Sequence, residues 1–150
     1  MRTLFDNECR RELLARFENL RPEMPPRWGR MSAPQMVTHL GDQMRLTLGD
    51  VPSRVWERRG PWCYPGLKQF ALYVMPWPKG RIRGPREAFV TRPTDWGTDL
   101  AALQALVERF ARLGTGGDWP AHPYFGPMSR RQWGVFCVRH FDHHLSQFGV

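Results

Sequence analysis

The chain has 150 residues, a formal charge of +8 and three cysteines, Cys9, Cys63 and Cys137. One domain of this length buries enough surface to hold together without disulfides, and an odd cysteine set with no C-x-x-C spacing fits a reducing compartment. No apolar run reaches the roughly 18 residues of a membrane span, and charges crowd the N-terminus where a secretory signal would be apolar, so a soluble, cytoplasmic protein with no membrane partner is expected.

Residues 6–20, "DNECRRELLARFENL", place Leu13, Leu14, Phe17 and Leu20 on one side of a first amphipathic helix. Pro25 and Pro26 cannot continue it. In "MSAPQMVTHLGDQMRLTLGD" Ser32 and Gln35 form a capping box, and Pro34 falls in the first turn, where its missing N–H costs nothing. A second helix is therefore predicted over 33–48, stopped by Gly49. Met36, Leu40, Met44 and Leu48 form its apolar stripe. His39 is one step round from Leu40, on a face with Gln35, Asp42 and Gln43.

Residues 49–93 are rich in proline and glycine, and only 67–75 could be helical. They read as a long crossover, in which Trp56, Trp62, Phe70 and Trp77 need burial. Between 51 and 98, nine Lys or Arg face three acids. No recognition helix or RNP-like pattern accompanies them, and 20 of the 22 basic residues are Arg, a composition bias as much as a patch. Nucleic acid is not the expected partner. A third helix is predicted within 94–114, with Leu100, Leu103, Leu106, Val107 and Phe110 as its stripe and Gly114 as its stop. Ser129 and Gln132 form a second capping box, which opens a last helix over 130–147. The pattern is all-α: a four-helix bundle with a long crossover between helices 2 and 3.

Three of the five histidines close the chain in "CVRHFDHHLSQFGV". At about 100° per residue His140 and His144 share the buried face of the last helix with Trp133, Phe136, Cys137, Phe141 and Phe148, while His143 falls beside it. Histidines at i and i+4 can reach one ion, but the same spacing also arises in plain core packing. A metal site needs a ligand from another element, and His39 is the one other histidine on a predicted helix. His122 precedes a proline and reads as a structural loop residue. The free cysteines read as inert small hydrophobes, although Cys137, on the buried face one turn before His140, could come close to a metal.

At these residues the chain resembles the DinB superfamily, and within it the branch called DUF1569. The likeness lies in "GRMSAPQMVTHLGD", in "PWPKG" at 76–80 and above all in "HPYFGPMSRRQWGVFCVRHFDHHLSQFG". It covers most of the chain. It implies a single domain over 1–150 with a DinB-like four-helix bundle, and a metal centre whose ligands match His39, His140 and His144 here. It also implies one divalent ion, zinc or nickel, with imidazole itself suiting several first-row metals. Characterised members use low-molecular-weight thiols such as bacillithiol or mycothiol for transfer or isomerisation. The expected function is thus a metal-dependent thiol transferase acting on a small-molecule substrate; Arg81 and Arg83 could hold acidic groups of the thiol or substrate, but plain solvation is the preferred reading of them. A non-catalytic metal- or ligand-binding bundle is the first alternative, and nucleic-acid binding through 51–98 the second. No catalytic residue stands out; Asp42 and Gln43 are candidates for supporting the ligands. The tryptophan-rich crossover would suit a homodimer.

Overall fold

The computed structural model describes residues 2–52, 60–81, 84–113 and 119–150. They form five α-helices: α1 (Asn7–Glu18), α2 (Ala33–Leu48), α3 (Pro65–Tyr73), α4 (Trp96–Arg112) and α5 (Arg130–Phe148). No strand occurs among the described residues beyond an isolated bridge between His122 and Gly126. The fold is an all-α bundle, with α1, α2, α4 and α5 as the long helices. The crossover contributes α3 and two 3-10 turns, Pro61–Cys63 and Arg86–Phe89.

Both capping boxes form. Ser32 Oγ accepts from the Gln35 N–H at 3.3 Å while Gln35 Oε1 accepts from the Ser32 N–H at 2.9 Å, and Ser129 and Gln132 repeat the exchange at 3.3 and 2.8 Å. The same two helices end on Gly49 and Gly149, at φ +80° and +81°, a left-handed conformation that a side chain would penalise. These start and stop signals fix the phase of α2 and α5, and hence the direction of every histidine on them.

The core is built from Leu13 and Phe17 of α1, Met36, Leu40 and Met44 of α2, Leu103, Val107 and Phe110 of α4, and Trp133 and Phe141 of α5. Leu48, Leu100 and Leu106 are only half-buried at its margin. α2 packs on α4 and α5, and α1 and α3 both pack on α5. α2 and α5 run antiparallel: His39 meets His140 and His144, whereas Thr47, two turns on, meets Cys137, nearer the start of α5.

Several expectations are corrected. Phe70 is 48% exposed, because α3 turns Lys68, Ala71 and Leu72 to the bundle and Phe70 away from it. Trp62 and Trp77 are half-buried, and Trp56 lies outside the described residues, as do Arg83 and the predicted helix stop Gly114. Cys137 pairs with the Thr47 hydroxyl, away from the histidines, and burial pushes its thiol up to about 12, so it stays protonated.

Candidate metal centre

His39 stands on the middle of α2, and His140 and His144 stand one turn apart on α5. The three rings converge. Nε2 of His140 lies 3.2 Å from Nε2 of His39 and 3.0 Å from Nε2 of His144, and the three candidate ligand nitrogens all lie within 4.8 Å of one another. Nitrogens about 2.0–2.1 Å from a tetrahedral Zn²⁺ sit roughly 3.3 Å apart, close to the two short separations here.

Hydrogen bonding behind the rings decides what their Nε2 atoms can do. His39 Nδ1 faces the Ala88 carbonyl at 2.7 Å, so it carries the proton and Nε2 is a bare lone pair. His144 Nδ1 faces Gln147 Oε1 at 3.0 Å, and Gln147 is oriented by donating Nε2–H to the Trp28 carbonyl at 2.7 Å. Its Nε2 is therefore bare as well. His140 lies between these two acceptors, and its own Nδ1 is buried without a hydrogen-bond partner. If the His140 proton sits on Nε2 it can serve one neighbour only, and Nδ1 is left as a sealed acceptor. If it sits on Nδ1, three lone pairs face one another. A cation at the convergence point resolves both conflicts, so the donor set fits a divalent ion.

Electrostatics favour neutral, ligand-competent rings. Burial lowers the pKa of His39, with the Ala88 bond and Asp42 opposing it. Burial drives His140 well below the ordinary range, helped by its histidine neighbours. Burial, then His39, lowers His144 to about 3.

The support around His39 comes from the crossover. Asp42, one turn along α2 and 1% exposed, accepts from the N–H groups of Val90 and Thr91 at 2.9 and 2.8 Å and from the Thr91 hydroxyl and Arg45. This clamp holds the 86–91 turn against α2, which brings the Ala88 carbonyl to His39 and stacks the Phe89 ring on it at 4.3 Å. Arg139 does similar work for α3, donating to the carbonyls of Ala71, Leu72 and Met75 at its C-terminal end.

The histidines open on a cavity of about 570 Å³, walled largely by aromatic residues including Trp28, Trp77 and Phe136. His143 lies at its edge against Trp28, and Lys79 stands 4.4 Å above the Trp28 ring. His122 also lines the cavity and is structural as expected: its Nδ1 accepts from the N–H groups of Tyr124 and Phe125. Arg81 is exposed.

Burial holds the His122 pKa at about 3, against an unfolded value near 6.5. Between those values the unfolded chain binds a proton that the folded one refuses, so stability falls as pH drops through 6.5, and the loss is complete near 3. From pH 6.5 to 5 this histidine should cost about 2 kcal/mol. Urea titrations of the wild type and His122→Asn should diverge by that amount over this range. Parallel pH profiles would contradict the assignment.

The structure brings together His39, His140 and His144, the three histidines named from the sequence, and Asp42, named as a support, holds the turn behind His39, whereas Gln147 and the Ala88 carbonyl went unnamed. Gln147 sits one turn from His144, a spacing that could have flagged it. The Ala88 carbonyl carries no side-chain signal at all.

Fold and site together define an all-helical bundle with a three-imidazole centre at the wall of an aromatic cavity. The profile of the family DUF1569, described as a protein of unknown function, matches residues 69–149, more than half of the chain, and the chain belongs to that family. No curated protein and no solved structure matches it. The matched span holds His140 and His144 but not His39, which only the fold brings to them.

Proposed function

We propose that this protein is a divalent-metal-dependent enzyme of the DinB type that joins a low-molecular-weight thiol to a small electrophile. In this reading residues 1–150 are one DinB-like domain, and His39, His140 and His144 hold one Zn²⁺ or Ni²⁺. The observation that carries it is the convergence of at least two bare imidazole nitrogens, with a third ring unsatisfied behind them, at the wall of a 570 Å³ cavity. When bound, such an ion supplies Lewis acidity that favours the thiolate of a thiol near neutral pH. The chain's own contribution is to hold three neutral imidazoles in place and to surround the reacting pair with aromatic walls that exclude water. Three free cysteines fit a reducing, cytoplasmic setting for thiol chemistry.

One feature favours a second reading, a bundle that binds a metal or small ligand without catalysis. The described residues lining the cavity include no carboxylate that could act as a general base. A thiol deprotonated on binding needs none, since its proton passes to solvent. Conjugation of bacillithiol to monochlorobimane separates the two readings: the S–C bond forms, the C–Cl bond breaks and chloride leaves. The enzyme reading expects at least about a hundredfold acceleration that needs added Zn²⁺ or Ni²⁺ and disappears in His39→Ala, within the range that positioning and acid–base effects ordinarily supply. Equal rates with and without protein would leave the non-catalytic bundle.

A further inference from the structure

Two polar groups in the cavity wall remain unexplained by the metal centre. Gln43 is 4% exposed, one turn beyond His39 on α2, and its Nε2 is buried with no hydrogen-bond partner among the described residues. His122 is 3% exposed, in the loop before α5, and lines the same cavity. Its Nδ1 is occupied as an acceptor for Tyr124 N–H at 3.1 Å and Phe125 N–H at 3.2 Å. A neutral ring that accepts at Nδ1 must carry its proton on Nε2, across the ring. The wall residues therefore include a ring with a fixed N–H donor and a glutamine whose Nε2 is unpaired.

Their positions are related. Because α2 and α5 are antiparallel, moving from His39 to Gln43 goes the same way as moving from His140 back to Phe136, and the His122 ring packs on Phe136 at 4.5 Å. The opposite end of the cavity is its mouth, where Gly29, Arg30 and Gly80 are exposed and Trp28 is tied to Gln147 beyond His144. The order from mouth to floor is thus Trp28, the histidine triad, then Gln43 and His122. Leaving the Gln43 Nε2 donor unpaired inside the protein is costly, and a hydrogen bond to a bound oxygen atom removes the cost.

We propose that Gln43 and His122 form a polar floor that binds the accepting oxygen of a small, largely aromatic ligand, such as a carbonyl group, and seats its body beside the three histidines. As a substrate anchor this rests on the enzymatic reading. As a binding site it does not depend on any ion, so it is tested on the full chain with and without Zn²⁺.

Acetophenone and ethylbenzene are suitable probes, equal in shape and differing in one oxygen. A cavity with apolar walls throughout prefers ethylbenzene, because the ketone must give up its hydrogen bonds to water. With the polar floor, acetophenone should bind about fivefold tighter or better, about what one net hydrogen bond provides. Long-range ¹H–¹⁵N spectra should identify His122 as the Nε2–H form, and that resonance should move on adding acetophenone. Gln43→Leu should reverse the preference toward ethylbenzene. Tighter binding of ethylbenzene by the wild type, or a ketone that binds without moving the His122 resonance, would overturn the proposal. These spectra on the wild type do not depend on the variant folding. A chain that never binds metal would still give the ketone preference, which keeps the two readings separable.

Discussion

His140→Leu is expected to abolish tight divalent-metal binding while leaving the metal-free protein at least as stable as the wild type. Both halves follow from the same geometry. Four-ligand zinc sites in small domains are worth about 10–16 kcal/mol, so one ligand accounts for about 3–4 kcal/mol, roughly two to three powers of ten in affinity. His140 is the ring that touches both others, and without it His39 and His144 lose the nitrogen between them. Without metal, however, the same ring buries an unpaired Nδ1 and faces two acceptors with at most one proton. Removing a buried unsatisfied polar group recovers about 1–3 kcal/mol, which offsets the imperfect fit of leucine. Isothermal titration with Zn²⁺ and urea unfolding in chelator measure the two halves. A histidine that served only to pack would give the reverse: no change in metal binding and a clear loss of stability.

Asp42→Ala is expected to weaken metal binding by roughly ten- to a hundredfold although Asp42 is outside the three-histidine cluster. Its carboxylate holds Val90 and Thr91, and through them the Ala88 carbonyl that fixes the proton of His39 on Nδ1. The substitution also strands two backbone N–H groups, at a cost of about 3 kcal/mol in stability. Asp42→Asn keeps one oxygen for those N–H groups and should recover most of both losses. If Asp42→Ala destabilises the fold but binds Zn²⁺ as tightly as the wild type, the clamp has no part in positioning His39.

What the sequence disclosed was what local rules govern. Capping boxes at Ser32 and Ser129 and the stop at Gly49 set α2 and α5 to within one residue of the predicted spans. With these fixed, periodicity alone put His140 and His144 on one buried face and made His39 the one candidate to join them. The crossover obeys no period, so its contribution was hidden. The clamp by Asp42, the stacking of Phe89 and the capping of α3 by Arg139 are long-range contacts made by a proline- and glycine-rich segment. Phe70 departs from the expected burial for the same reason: α3 is short and is covered only on the side that carries Lys68, Ala71 and Leu72. Cys137 was placed on the correct face, but it sits one turn further toward Thr47 than a ligand could.

The central claim is that two distant helices build one metal site, and elemental analysis of the untagged protein tests it most directly. The chain should carry about one Zn²⁺ or Ni²⁺, and this should be lost in both His39→Ala and His140→Ala, which alter different helices. No bound metal after incubation with either ion, or full occupancy in the His39→Ala variant, would contradict it.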